Sequence, residues 1–303
     1  MKLHAEPKPL HEPLAGGTQG ATVIVEPMIA GTVNWPLPLM ESPGGRFLDL
    51  RLARHVLTGK PPNRVPCPAF LIRHPSAGAI LVDTGLHPSI STDPSENFGS
   101  MGARVASPEL GQGEDVASQL REKGVPPAQV AVVVMTHLHY DHASAISEFP
   151  QSTFVVTDAE WEAASTDRRP ALRGYRHAHY DWAFDYRTVD MTRGGIASYA
   201  TFGRAFDLFG DGSIHLAYTP GHSAGHVSVI ARLAQRDFVI GGDAIYTMRQ
   251  LEPGAPLPPK PVDDHRYRRS LQELRLFRRE YPNAIITPGH DASFYDQLEA
   301  RYE

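Results

Sequence analysis

The chain has a single cysteine, Cys67, among 303 residues. No intrachain disulfide can form, and a reducing compartment suits such a protein. Nor is there a run of 18 or more apolar residues, the length a membrane-spanning helix requires. The opening Met1-Lys2-Leu3-His4-Ala5-Glu6-Pro7 lacks the apolar stretch of a secretory signal, and the expected location is the cytoplasm. Long basic runs are missing too, and the net charge is −5, which argues against a nucleic-acid surface. Cys67 falls outside every motif described below and is expected to be a buried strand residue rather than a nucleophile.

What the chain has is clustered histidine. Thr136-His137-Leu138-His139-Tyr140-Asp141-His142 is an H-x-H-x-D-H run that places four metal-capable side chains within six residues. Imidazole with carboxylate suits zinc and its first-row neighbours, and a pair of such ions turns bound water into a nucleophile at neutral pH. The remaining ligands are then expected downstream, each at the end of a strand. Three segments meet that expectation: Thr219-Pro220-Gly221-His222, Gly241-Gly242-Asp243 and Thr287-Pro288-Gly289-His290. In each, glycine permits a sharp turn or a close backbone approach, and in two of them proline stiffens the path to the ligand. By contrast His177-x-His179 has no partner motif and reads as ordinary loop or pocket wall.

An apolar fraction of 41% is enough for a substantial core. The spread of candidate ligands from 137 to 290 favours one domain over residues 21–303, preceded by a loose arm over 1–20. Strand signals occur at Ala21–Val25, Pro68–Arg73, Ala79–Val82, Val130–Met135, Ile214–Tyr218, His226–Leu233, Phe238–Ile240 and Ala284–Ile286. Glu114–Lys123 reads as a short helix stopped by Gly124. Over Asp263–Tyr281, Tyr267, Leu271, Leu274, Phe277 and Tyr281 recur at three- and four-residue steps, one apolar helix face with arginines on the solvated side. Residues 88–113, crowded with Ser, Pro, Gly and Asn, read as a mobile loop or lid. Residues 161–209 are dense in aromatics, including Trp182 and Phe184, which either wall an apolar substrate pocket or pack as core.

In its order of motifs the chain resembles the metallo-β-lactamase superfamily. Val82-Asp83-Thr84-Gly85, the H-x-H-x-D-H run, the His222 and Asp243 segments and His290 follow one another as they do there, over roughly residues 65 to 295. The resemblance implies an α+β fold, the αβ/βα sandwich of two β-sheets flanked by helices, with metals at one sheet edge. It further implies that His137, His139 and His222 bind one divalent ion and that Asp141, His142 and His290 bind the other. Asp243 would bridge the two ions. Zinc is the first expectation for both, and iron, cobalt or manganese are alternatives. His226 is left as a supporting or strand residue.

Within the superfamily, the chain is most similar to quorum-quenching N-acyl homoserine lactone lactonases. The shared segments are Leu138-His139-Tyr140-Asp141-His142-Ala143, Thr219-Pro220-Gly221-His222-Ser223-Ala224-Gly225-His226 and Asp243-Ala244-x-Tyr246-Thr247. That resemblance implies a small-molecule lactone as substrate, Tyr246 as hydrogen-bond donor to it, Asp141 as proton shuttle and Tyr140 as pocket wall. The chain departs from compact lactonases in its longer N-terminal arm and in the 80-position separation of His142 and His222, so acyl-chain preference stays open. Alternatives are a metallo-hydrolase acting on another lactone, an ester or an organophosphate triester, or a catalytically silent metal-binding protein. A homodimer is admitted, with no residue assigned to it.

Overall fold

The computed structural model describes residues 3–40, 63–194, 196–258 and 261–303, without the side chains of residues 37 and 38. Thirteen strands among them form two sheets. The first has the order β1-β7-β6-β5-β4-β3-β2 and the second β13-β12-β11-β10-β9-β8. Their bounds are β1 Lys8–Pro9, β2 Ile24–Asn34, β3 Arg64–His74, β4 Gly78–Val82, β5 Val130–Val134, β6 Thr153–Thr157, β7 Asp185–Val189, β8 Ala197–Tyr199, β9 Phe202–Asp207, β10 Ile214–Tyr218, β11 Val227–Arg232, β12 Asp237–Ile240 and β13 Ile285–Thr287.

Alternation along the strands builds the layers, because successive side chains point to opposite faces. In β4, Ile80 and Val82 enter the core between the sheets while Leu81 joins the outer cluster. In β12, Phe238 and Ile240 face inward and Val239 faces outward. The inward residues of both sheets meet in one cluster. The outer face of the first sheet is covered by the helices Val116–Glu122 and Asp158–Thr166, and that of the second by the helix Asp264–Glu280. The result is the expected αβ/βα sandwich.

Helix Asp264–Glu280 shows why the periodicity was legible. Asp263 caps it by accepting from the Arg266 amide, and Tyr267, Leu271, Leu274 and Phe277 are buried, each worth roughly 1.5–3 kcal/mol. Tyr281 is the exception at 44% exposed, because the helix ends one residue before it. Cys67 is fully buried in β3.

Two expectations need correction, and one open alternative is decided. The arm is not loose over its described residues: Lys8 and Pro9 pair in parallel with Arg187 and Thr188, the Leu14 amide donates to the Leu208 carbonyl at 2.8 Å, and Leu10 and Leu14 pack on the inter-sheet core. Polar composition concealed two leucines with a docking face. Residues 88–113 are not an unstructured loop, since Asp93 caps a helix over Pro94–Ala106, kinked at Gly99 (φ 71°). Residues 161–209 are mostly core: Trp161, Tyr180, Tyr186, Phe202 and Phe206 are buried, and three strands, β7 to β9, pass through the segment.

Candidate metal centre

Parallel pairing explains why residues distant in sequence arrive together. β4 runs parallel to β5, and β10, β12 and β13 share one direction through the antiparallel β11. Their carboxyl ends open at one edge of the sandwich. Ile240 pairs with Thr287, so Asp243 and His290 each leave three residues beyond that rung, at the same height. Gly289 is required beside them: a side chain there would collide with the Asp243 carboxylate.

The sequence-predicted ligands converge. His222 Nε2 lies 3.2 Å from His137 Nε2 and 2.9 Å from His139 Nδ1. On the other side, His290 Nε2 lies 3.4 Å and His142 Nε2 3.8 Å from Asp141 Oδ2. Asp243 stands between the groups. Its Oδ2 is 3.2 Å from His222 Nε2 and 3.9 Å from His137 Nε2, and its Oδ1 is 3.2 Å from His290 Nε2 and 3.4 Å from His142 Nε2. One carboxylate thus offers an oxygen to each triad. Both triads have the spacing of a metal-holding set.

Hydrogen-bond partners decide which ring nitrogens carry protons. His290 Nδ1 faces the Pro66 carbonyl at 2.9 Å and His142 Nδ1 faces Asp83 Oδ2 at 2.8 Å. Both partners only accept, so Nδ1 holds the proton and Nε2 is bare. His137 Nδ1 meets Thr136 Oγ1 at 3.0 Å, and that hydroxyl already donates to Asp83 Oδ2, so His137 Nε2 is bare too. In the neutral tautomers that these partners select, several lone pairs therefore converge on one another. His142 Nε2 and Asp243 Oδ1 are buried without a hydrogen-bond partner among the described residues, a costly arrangement unless a cation completes it. The donor set fits divalent ions in both triads.

Electrostatics agree. Burial holds the His137 and His222 rings well below the ordinary imidazole range, which keeps them in the neutral, ligating form. Burial also presses on His142, yet Asp141, Asp243 and Asp83 raise its proton affinity well above the ordinary value. That side of the cluster is a sink for positive charge. Although burial pushes the Asp243 carboxyl up, the rings of His290, His222 and His142 hold it well below the carboxylate range.

Supporting residues surround the cluster. Asp83, in the left-handed conformation at φ 57°, takes the Thr136 amide and hydroxyl and the His142 ring. His226 accepts from the Asp243 amide at 3.0 Å, while its other nitrogen starts a directed chain through Thr219 and Ser228 to the Gly241 carbonyl. His226 therefore fixes the turn that carries Asp243 and is no ligand.

A cleft of about 340 Å³ lies over the cluster, lined by Trp35, Tyr140, Leu172, Gly174 and Tyr246 among others. The Tyr246 hydroxyl sits 2.8 Å from His222 Nδ1. With His222 Nε2 turned to the triad, Nδ1 donates to that oxygen, and the phenol keeps its own proton for a group in the cleft. Burial, reinforced by Asp243, pushes the phenol well above its usual range, so it remains a donor. An apolar groove of about 450 Å³ shares Tyr140, Ala171 and Leu172 with the cleft and continues along Phe98, Met101 and Val105.

Not every candidate joins. Trp182 and Phe184 line neither the cleft nor the groove; Phe184 stacks between Phe154 and Trp182 and packs on the outer core of the first sheet. The groove walls come instead from the helix Pro94–Ala106, a region that sequence composition marked as loop, and from the 170–176 turn within the aromatic segment. His177 and His179 bond the Ala164 and Asn97 carbonyls, away from the cluster. Phe98, Leu172 and Trp35 were missed because no periodicity or spacing links them. Glu160 was missed as well.

Comparison with known proteins agrees with this geometry. The family model described as "Metallo-beta-lactamase superfamily" matches residues 62–290. The N-acyl homoserine lactonase AttM of Rhizobium radiobacter is 34% identical over 233 residues, covering 75% of this chain and 82% of that protein. The AttM of Rhizobium johnstonii is 33% identical over 241 residues, with 78% and 85% covered. Among solved structures, a Bacillus thuringiensis AiiA mutant with N-decanoyl-L-homoserine at its active site superposes with a TM-score of 0.70 at 20% identity, covering 95% of this chain and 98% of that one. On the extent of the family match and the identity to these relatives, the chain belongs to the metallo-β-lactamase superfamily.

Proposed function

We propose that the protein is a dinuclear metal-dependent hydrolase that opens the lactone ring of N-acyl homoserine lactones, acting in the cytoplasm with zinc as the first expected metal. The observation that carries this reading is the juxtaposition of two complete triads sharing Asp243, the Tyr246 hydroxyl in the cleft above them, and an apolar groove leading away. His137, His139 and His222 would hold one ion, Asp141, His142 and His290 the other, and Asp243 both. Such ions, when bound, polarise an ester carbonyl and make water nucleophilic near neutral pH.

The chain's own groups account for the rest. Tyr246 donates its free proton to the lactone carbonyl oxygen as negative charge develops there. Water adds to the carbonyl carbon, the bond from that carbon to the ring oxygen breaks, and the products are a carboxylate and a hydroxyl. Asp141 turns Oδ2 toward His142 and His290 and also lines the cleft. From that position its carboxylate carries a proton to the leaving ring oxygen. The acyl chain lies in the groove against Phe98, Met101 and Leu172. Of these, Met101 and Leu172 are 81% and 77% exposed, more apolar surface than a helix and a turn present without a use.

The test joins metal analysis to a pH-stat screen of lactones, aryl esters and phosphotriesters. Expected are two metal equivalents and fastest turnover on acylated homoserine lactones. Leu172→Asp should raise KM roughly tenfold for long acyl chains relative to short ones, the low end of the effect one methylene carries in an apolar pocket, while Trp182→Ala leaves the ratio unchanged. A fully loaded enzyme that hydrolyses triesters but no lactone would sink the assignment.

A further inference from the structure

The helix Asp158–Thr166 opens with Thr157-Asp158-Ala159-Glu160, the pattern of a capping box. In that motif the glutamate reaches back to the first residue's amide. Here the Thr157 hydroxyl does accept from the Glu160 amide, but the Glu160 side chain turns away into the protein, where it is fully buried. Its Oε1 accepts from the Leu138 amide at 3.0 Å and from the Tyr175 hydroxyl at 3.0 Å. Its Oε2 accepts from the Ser223 hydroxyl at 2.6 Å and the Gly225 amide at 3.0 Å.

Those four donors are not scattered. Leu138 lies between His137 and His139, and Tyr175 packs its ring 4.9 Å from the His139 ring. Ser223 follows His222, and Gly225 belongs to the same turn. A side chain at Gly225 would strike Thr157 and the Glu160 main chain, so the turn rests directly on the helix. One carboxylate therefore ties together the two loops that supply the first triad and touches neither Asp141, His142 nor His290. Of these, His142 is held by Asp83 and Thr84, and His290 by the Pro66 carbonyl.

From this arrangement we propose that Glu160 is a positioning residue that sets the metal affinity of the His137–His139–His222 triad selectively. The inference rests on the two-metal reading above. Glutamine cannot replace it, although it has the same shape. Each carboxylate oxygen receives one main-chain N–H, so either orientation of an amide places its NH₂ against an N–H that cannot accept. Partners of this kind typically govern metal affinity by roughly 10–100-fold.

The experiment is a titration of metal-free protein with zinc against a chromophoric chelator, for wild type, Glu160→Gln and His222→Ala, with circular dichroism of each metal-free variant. Glu160→Gln should keep one equivalent at the affinity of the single equivalent left in His222→Ala, and bind the other roughly 10–100-fold more weakly. Ser223→Ala removes one donor without stranding an amide; it covers the case in which Glu160→Gln does not fold, and should weaken the same equivalent by a smaller factor. Equal weakening of both equivalents, or of neither, overturns the proposal. If wild type takes up fewer than two equivalents, the two-metal reading fails first; if wild type binds two and the variants bind as it does, only the role of Glu160 is lost.

Discussion

Tyr246 shows how much one hydroxyl is asked to do. Its oxygen accepts from His222 Nδ1 and the residue lines the cleft, so under the proposed function it would both steady a ligand and serve the substrate. Tyr246→Phe removes both interactions. We expect lactone turnover to fall between several-fold and a hundred-fold, about 1–3 kcal/mol in barrier, less than a lone oxyanion donor costs because the metals share the task. The bared His222 N–H should also weaken metal binding, while saturating metal still fills both sites. Steady-state kinetics with metal analysis checks this, and wild-type turnover on every lactone would make the tyrosine structural. The seven candidate ligands were legible at this scale because each stands in a short motif, either the H-x-H-x-D-H run or a segment with its own turn residue. Asp83 and Glu160 were not assigned roles, because their partners lie 15 to 65 positions away and no local pattern announces a contact of that separation.

At the scale of elements, the helix Pro94–Ala106 walls the groove proposed to take the acyl chain, and its attachment is expected to depend on pH. The Asn97 carbonyl accepts from His179 Nε2 at 3.1 Å, and the Phe98 carbonyl from Arg176 at 3.3 Å. Burial first, then the charges of Arg176 and His87, push the His179 imidazole down to about 3 from 6.5, against the pull of the Asn97 carbonyl. A folded-state value below the unfolded one means that the released ring takes a proton more readily. The anchor is thus at full strength above about pH 6.5 and is lost progressively as the pH falls toward 3. Hydrogen exchange over residues 94–106 should quicken between pH 7 and 5 relative to the β-sheets, after correction for intrinsic rates, and His179→Gln should abolish that difference. An exchange ratio independent of pH would remove the histidine from this role. The helix itself was read as loop because proline, glycine and serine dominate its composition, yet Asp93 and Pro94 form a sound helix start.

For the whole molecule, the cluster joins the two halves of the sandwich. His137, His139, Asp141 and His142 follow the first sheet, while His222, Asp243 and His290 follow strands of the second. Metal held across that seam binds the folded state alone and stabilises it by mass action, about 2.7 kcal/mol at a hundredfold excess over the dissociation constant. Chelation should lower the melting temperature by about 5 °C or more, and re-addition of zinc should restore it. Unchanged melting of protein proven metal-free would show that the seam holds without ions. Among the described residues no helix is long and apolar enough to cross a membrane.

The sequence by itself determined the candidate ligand set, the superfamily and most strands after Val65, because these follow from short-range spacing and alternation that a chain carries wherever it folds. Tertiary structure alone decided the rest. It decided that the arm docks through Leu10 and Leu14, that the aromatics of 161–209 are chiefly core while Phe98, Met101 and Leu172 wall the groove, and that Glu160 forsakes its capping box for two distant loops. Each of these depends on which surfaces meet when the sheets close, and burial, unlike periodicity, is a property of the neighbours rather than of the residue.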